Sequence, residues 1–558
     1  MIFRTLVRGA RELASRVGGA RVPVTLAGAL LLVVGSWSPW ATFSGFAGKM
    51  TLAYPGGVRL YTLVLAACVA LAFVPLAGRR GAGEAAALGA LAITLGTVLS
   101  IANQGGGLVN VAWGAWVALV GAFLLLTGLL ALPEEAEGTP APRLPDGPAI
   151  GQLAGVLAVL ALTLVVVVEA LDIESAGQFV AFLVFIGFLV WAASRLGVGD
   201  WVQRASDRHR TVTLTAGLLT AAAFPFTQGG SDEWVRVGCT VGVFAAAAIG
   251  LNIVVGLAGL LDLGYIAFFG VGAYVGAMYS GSPNTNTHIA LPFLLVLVIG
   301  AIVSGIFGVG LGSPTLRLRG DYLAIVTLGF GEIFRITANN LDGFAGPKIT
   351  NGPNGIPGVP NLKFLGFDFG DSHTILGVKL GYFSNYFFAE LLLLVGVVLV
   401  FVRLNNSRIG RAWVAIREDE TAAAAMGVNT VRLKLLAFAI GAFLAGAAGT
   451  LNAHLTTQVS PDSYKFEESI LLLAAVVLGG MGTIGGAILG SALLHALPEK
   501  LRFFQEKRIL VFGIALVLMM RFRPEGIVPN RRRQREFHDD VSGADATSAP
   551  PGAPVVSV

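Results

Sequence analysis

The chain has 558 residues, 55% of them hydrophobic and 13% charged, and its mean hydropathy is +0.76. These values place it among integral membrane proteins and exclude a soluble enzyme built on one large core. The net charge of +5 does not signal nucleic acid, because Arg and Lys are spread through short loops between apolar runs, where they set orientation in a membrane.

A bilayer core about 30 Å thick takes roughly 20 helical residues, and lipid offers backbone groups no water, so each apolar run of that length should be a helix. Arg4, Arg8, Arg11, Arg16 and Arg21 precede the apolar run 22–40 like the charged front of a signal sequence. No small-residue cleavage site follows, which predicts an uncleaved first helix with a cytoplasmic N-terminus. Runs near 59–76, 85–102, 108–132, 150–171 and 179–193 bring the count to about six. Under alternation Arg79, Arg80, Arg195, Arg204, Arg208 and Arg210 fall inside, together with the acidic, Pro-rich stretch 133–148; Asp and Glu weigh little in that rule. Residues 103–107 and 172–175 fall outside. The charged stretch from Arg195 to Arg210 is the best boundary, leaving 1–210 as an N-terminal extension. Gly48-Lys49 within it is only a fragment of a phosphate loop. Cys68 and Cys239 lie alone in apolar stretches, without Cys or His at metal spacing, and read as spectator thiols.

Beyond the boundary glycine becomes dense inside apolar runs, first in 252–265 and then in 266–274. Gly270 and Gly272 do not make a dinucleotide fingerprint, since Gly276 comes one residue late and no strand precedes them. Small residues let helices approach closely or let a helix break beside an aqueous path. Asn252 and Asp262 favour the break. An acid at membrane depth costs about 2.5–3.5 kcal/mol, so Asp262 should face protein, water or the boundary, where it could cap the next helix. Arg317 and Arg319 mark a cytoplasmic turn; Glu332 and Arg335, three residues apart on the following span, can pair with each other or meet a solute. Residues 340–385 form the longest polar stretch and contain Asn351-Gly352-Pro353-Asn354-Gly355-Ile356-Pro357, a turn-forming run with no helix or strand period. On this topology it is external, as a docking loop or a lid.

Residues 403–432 are a polar island between two long apolar runs. Ser407 or Asn406 can cap a helix that Gly427 can close, with Trp413, Ile416, Ala423 and Met426 near one face. The run Arg417-Glu418-Asp419-Glu420 suits a partner protein better than lipid. An outward span follows at 435–455 and an external turn at 460–463. The apolar run 469–497 is too long for one helix, and Gly479-Gly480-Met481-Gly482-Thr483-Ile484-Gly485-Gly486 interrupts it, so two half-length helices or a re-entrant hairpin are expected. That reversal puts Arg531, Arg532 and Arg533 inside after a last span at 509–520, and Lys500, Arg502, Lys507 and Arg508 outside. The tail after Arg535 lacks an apolar period and should be disordered. His209, His288, His373, His454, His495 and His538 are scattered singly, and no Gly-x-x-x-x-Gly-Lys-Ser/Thr loop occurs.

Thr421-Ala422-Ala423 followed by Gly427 resembles the Glu-Ala-Ala-x-x-x-Gly pattern in the cytoplasmic loop of ATP-binding cassette (ABC) importer permeases. Thr421 stands where the pattern has Glu, and Glu420 comes one place earlier. The stretches 410–438, 252–274, 316–333 and 352–356, the Gly-Gly-Met-Gly run and 523–529 are similar to the branched-chain amino acid permease family, over roughly 211–530. The resemblance implies an all-α polytopic integral membrane protein, a helical bundle with broken or re-entrant Gly-rich helices. Its permease domain, 211–530, would hold about nine to ten helices, followed by a cytoplasmic tail at 531–558. It further implies one of two different permease subunits of an importer for leucine, isoleucine and valine in the bacterial inner membrane. Two ATPase subunits would use the ATP and Mg, and an external substrate-binding protein would deliver solute; this chain would hold no cofactor or metal of its own.

A urea or short amide permease of the same superfamily is the alternative. A self-contained secondary carrier would need paired intramembrane charges, of which there are few. Candidate ATPase contacts are Arg411, Arg417, Glu418, Asp419, Glu420, Ala422, Ala423 and Gly427. Candidate path residues are Asn252, Gly256, Gly259, Asp262, Gly264, Glu332, Gly479, Gly480 and Gly482, and candidate docking residues are Gly352, Pro353, Asn354 and Gly355.

Overall fold

The computed structural model describes residues 2–500 apart from 18–20, 46–47, 53–55, 70–78, 105–106, 132–143, 174–175, 229–231, 284, 286–288, 316–320, 345, 348, 365 and 376. Beyond 500 it describes 510, 513–514, 517, 521 and 526–528. The turn expected at Arg317 and Arg319 and the tail 531–558 lie outside the described residues, as does most of the span expected at 509–520. The chain forms two compact units, Met1–Ala221 and Ala222–Val558.

The first unit opens with α1 (Ile2–Val17) and α2 (Arg21–Trp37). The arginine-rich front, read as a charged leader to the first span, is a helix of its own. Ala10 and Ala14 are buried where α1 meets α5, while Arg8 and Arg11 stay exposed, the pattern of an amphipathic helix at a membrane surface. A hairpin of β1 (Ala41–Gly45) and β2 (Gly48–Leu52) follows, then α3 (Gly56–Val69), α4 (Arg79–Gln104) and α5 (Trp113–Leu130). Next come α6 (Ala149–Asp172), α7 (Ala176–Arg195), α8 (Val198–Arg208) and α9 (Arg210–Thr227), which carries the boundary between the units. The charged stretch after α7 is thus the short amphipathic helix α8, which lays Trp201 over Gly155 of the otherwise bare α6.

The second unit is built on α10 (Asp232–Asn252), which continues into a π turn at Ile253–Leu257, α11 (Ile266–Tyr279), α12 (Phe293–Thr315) and α13 (Asp321–Asn340). A loop with a 3-10 turn at Gly352–Asn354 and strands β3 (Ile356–Pro357), β4 (Lys363–Phe364), β5 (Phe367–Asp368), β6 (His373–Ile375) and β7 (Val378–Leu380) leads to α14 (Tyr382–Asn405). Then come α15 (Arg408–Glu418), α16 (Glu420–Ala425), α17 (Thr430–Thr456), β8 (Gln458–Val459), a 3-10 turn at Pro461–Tyr464, α18 (Phe466–Gly479) and α19 (Ile484–Lys500). The loop read as lacking a strand period holds two hairpins, β4–β5 and β6–β7, and β3 pairs with β8 so that Ile356 faces Val459. Turn geometry, rather than side-chain alternation, makes such short pairings.

Eight of the described helices are long and apolar enough to cross a membrane, and three shorter ones are apolar. The chain is an all-α polytopic membrane protein. A large core lies where α10, α11 and α17 meet, with Phe268, Phe269 and Phe438 buried. Backbones there approach at small residues: a methyl group on Gly272 would collide with the backbone of Gly446, and Thr450 Oγ1 donates to the Gly272 carbonyl at 2.9 Å. This is how helices associate where lipid offers no hydrophobic drive. The run 469–497 resolves as α18 and α19, an antiparallel pair in contact at Ala475 and Gly490 and at Gly479 and Gly486. Arg236 meets Glu499 at 3.3 Å and Lys500 sits 4.9 Å over the Trp234 ring, so α19 ends beside the start of α10.

Gly446→Val should force α12 and α17 apart, because a side chain there would run into Ser304 and the Gly300 carbonyl. Overpacking of this kind costs roughly 1–3 kcal/mol, read as a lower thermal midpoint of the purified protein, whereas Gly310→Val, where a side chain would meet open space, should leave the midpoint within a degree or two.

Candidate functional site: two broken helices and the surface loop

The polar island folds as two helices, not one. Ser407 Oγ caps α15 by accepting the Gly410 amide at 3.1 Å, and Asp419 caps α16 by accepting the amides of Thr421 and Ala422 at 2.8 and 2.9 Å. An acid free to cap its own downstream amides breaks the helix there, and the rotation between the segments separates the expected apolar face. Trp413, Ile416 and Ala423 are buried, but Met426 is 84% exposed. Gly427 ends the second helix at φ 84°.

The loop is tied to its neighbours on three sides. The Trp413 indole donates to the Leu433 carbonyl at 2.7 Å, fixing α15 to the start of α17. Lys434, nearly buried, pairs with Glu420 at 2.6 Å, a partner for Glu420 that the sequence reading missed. Arg417 turns inward. Its Nη1 donates to the Gly256 carbonyl at 2.7 Å, and its stem lies across Gly259, whose φ of 72° and missing Cβ leave the room. Exposed on the loop are Arg411, Glu418, Asp419, Thr421, Ala422 and Gly427 with Met426, while Ala423 is buried and Glu420 half-buried.

Arg417 thus ends on the break between α10 and α11. The π turn widens the helix there and frees carbonyls from their usual partners. Asn252 is fully buried and bridges to the second glycine-rich break: its Nδ2 donates to the Thr483 carbonyl at 2.9 Å and its Oδ1 accepts the Gly482 amide at 2.7 Å. The C-terminal segment closes that second break, with Ile527 N–H on the Leu478 carbonyl at 2.8 Å and Val528 N–H on the Gly479 carbonyl at 2.9 Å. Gly480, at φ 122°, lies against Val528.

Asp262 is fully buried and accepts the Gly264 amide at 2.9 Å. It does not cap α11, because the first amide of that helix, Ile266, goes to Ser469 Oγ at 3.1 Å. Thr327 accepts the Leu263 amide at 3.0 Å and Gly264 packs on the Thr327 backbone, which binds the break to α13; the Tyr265 hydroxyl binds it to α17 through the Gly441 carbonyl at 2.6 Å. Asn252, Gly256, Gly259, Asp262, Gly264, Gly479, Gly480 and Gly482 therefore gather in one connected region beside Arg417. Glu332 stands apart from it, in an ion pair with Arg335 on α13. Thr327, Lys434, Thr483 and Ser469 were not legible as partners, because each meets a group far away in the chain or in another segment.

At the opposite end, Gly352 and Gly355 are buried turn residues, and a Cβ on Gly355 would meet the Val459 carbonyl. Pro353 and Asn354 are exposed. Of the four docking candidates only these two offer side chains to a partner. Cys239 is buried, its thiol donating to the Phe383 carbonyl at 3.3 Å.

Glycine-broken membrane helices bonded to a surface loop fit a permease, and similarity to known proteins places the chain in that class. A family model described as "Branched-chain amino acid transport system / permease component" matches residues 235–520. The high-affinity branched-chain amino acid transport system permease protein LivM of Salmonella typhimurium is 43% identical over 333 residues, 58% of this chain and 75% of the relative. LivM of Escherichia coli strain K12 is 42% identical over 343 residues, 59% of this chain and 77% of the relative, and LivH of the same strain is 28% identical over 301 residues, 52% and 93%. No solved structure matches the chain. The chain belongs to the permease-component family of branched-chain amino acid transport systems.

Asn252→Leu would leave the Gly482 amide without a partner, costing about 1–3 kcal/mol, and would leave the Thr483 carbonyl only the longer bond from the Ala487 amide at 3.3 Å. Asn252→Asp keeps the acceptor and loses the donor, so its thermal midpoint should fall between those of Asn252→Leu and the parent protein.

Proposed function

We propose that the chain is one of two different permease subunits of an ABC importer that moves leucine, isoleucine and valine across the bacterial inner membrane. Residues 1–210 serve as an extension, 211–530 as the permease domain and 531–558 as a tail, with both termini cytoplasmic. Hydrolysis of ATP with Mg belongs to two ATPase subunits, since this sequence has no phosphate-binding loop. An external substrate-binding protein docks at the exposed Pro353–Asn354 turn. The family match and the LivM and LivH relatives support this reading.

The observation that carries the mechanism is the bond from Arg417 to the Gly256 carbonyl. The outer side of the loop, with Arg411, Glu418, Ala422, Met426 and Gly427, is free to meet an ATPase, while its inner side holds α17 and the α10–α11 break. Movement imposed on the loop is therefore passed to the break, and through Asn252 to the α18–α19 break. Access alternates as the two breaks shift together against the rigid α11–α12–α17 scaffold.

Labelled leucine and urea uptake in vesicles tests the reading. Leucine uptake is expected only with the partner permease, the ATPases, the binding protein and internal ATP, and urea uptake under no condition; uphill leucine uptake by this chain alone, or urea uptake by the complex, contradicts it. A hydrogen bond from a charged donor is worth about 1.5–3 kcal/mol. Arg417→Ala should accordingly lower leucine uptake at least tenfold while the ATPases still co-purify, with Arg417→Lys in between.

A further inference from the structure

Glu332 and Arg335 form an ion pair on α13, the least enclosed helix around the breaks, with Tyr322, Ile325, Ile333 and Ile336 all exposed. Glu332 is the twelfth residue of this 20-residue helix, about 12 Å from the end away from the loop at 1.5 Å per residue. Charges at that depth are costly facing lipid, yet the two side chains remain 39% and 25% accessible. The pair thus marks the face of α13 that lies toward water or another protein.

Its surroundings have a definite chemistry. Arg335 places Nε and Nη2 on Glu332, while Nη1 points to Asp462 Oδ1 at 3.7 Å, too long for a hydrogen bond. Asp462 belongs to the 3-10 turn between α17 and α18 and is in turn 3.4 Å from Lys465 Nζ. Beneath the charges lie three rings, Tyr274, Phe334 and Tyr464, with centroids 6.1–6.2 Å apart. Phe334 precedes Arg335 on α13, and Tyr464 shares the turn with Asp462, so the same two segments supply both the charges and the apolar floor. The Tyr274 hydroxyl, buried among them, has no hydrogen-bond partner among the described residues.

We propose that Arg335 and Asp462, with Glu332 orienting Arg335, form a station for the zwitterion of an α-amino acid with an aliphatic side chain. The solute carboxylate takes Arg335 Nη1, its ammonium takes Asp462, and its side chain lies on the half-buried Phe334 ring, which the buried Tyr464 and Tyr274 rings back from beneath. One loose contact is thereby replaced by two charge-assisted hydrogen bonds. The station lies at the end of the bundle opposite the surface loop, where solute arrives before the breaks, and the assignment rests on the importer reading above.

The test is equilibrium dialysis of labelled leucine against the purified full complex without the binding protein, with leucinamide, which lacks the carboxylate, as competitor. The parent complex should bind leucine, with leucinamide at least tenfold weaker. Arg335→Gln and Asp462→Asn should each weaken leucine binding at least tenfold, and Arg335→Gln should also narrow the gap between leucine and leucinamide. The double variant Glu332→Arg with Arg335→Glu keeps an ion pair and therefore the fold, checked by its thermal midpoint, and should bind as weakly as Arg335→Gln. Binding at parent strength in the double variant, or none in the parent complex, would overturn the station. So would Arg335→Gln binding leucine normally but losing the binding protein. If instead the parent complex takes up no leucine in vesicles, the importer reading fails first.

Discussion

Breaking a helix inside lipid exposes backbone groups that water cannot reach, and each must find a partner or cost several kcal/mol. In this protein those partners come from distant parts of the chain. The Gly256 carbonyl is taken by Arg417, the Thr483 carbonyl and Gly482 amide by Asn252, and the Leu478 and Gly479 carbonyls by the amides of Ile527 and Val528. A break stabilised this way cannot move alone, because its donors sit on the surface loop, on α10 and on the C-terminal segment.

Against these breaks stands a part of the bundle with little freedom. Backbone meets backbone at Gly272 and Gly446, Ser304 Oγ donates to the Phe268 carbonyl at 2.6 Å, and the Tyr265 hydroxyl reaches the Gly441 carbonyl. Close-packed contacts of this kind transmit displacement rather than absorb it. The loop is clamped to the same scaffold by Trp413 and by the Lys434–Glu420 pair, and in the proposed mechanism it moves as a lever with Arg417 as the working end. Tight scaffold, clamped lever and soft breaks all follow from where glycine and single polar residues were placed in apolar runs.

Much of this was readable in advance, for physical reasons. Lengths of apolar runs located α4, α5, α6, α7 and α17, because the bilayer sets a minimum length. Glycine density marked both breaks, and Ser407 was recognisable as a cap. What escaped notice depended on tertiary partners. Nothing local shows that Asp419 would break the island into α15 and α16 and expose Met426, or that Asp262 would bond inside the break rather than cap α11. Arg417 was one charge among several until its partner carbonyl was known. Gly352 and Gly355 hold buried positive-φ positions of the turn, against Asp342 and the Val459 carbonyl respectively, while Pro353 and Asn354 face outward.

The central claim is that the surface loop and the two breaks move as one mechanical unit. Hydrogen–deuterium exchange on the assembled complex, with and without ATP bound, tests it at 256–265 and 480–483. The account predicts that exchange in both segments changes together on ATP binding, and that neither responds once Arg417 is replaced by Ala. Unchanged exchange in both segments in a complex that transports normally, or a response undiminished by that replacement, would contradict it.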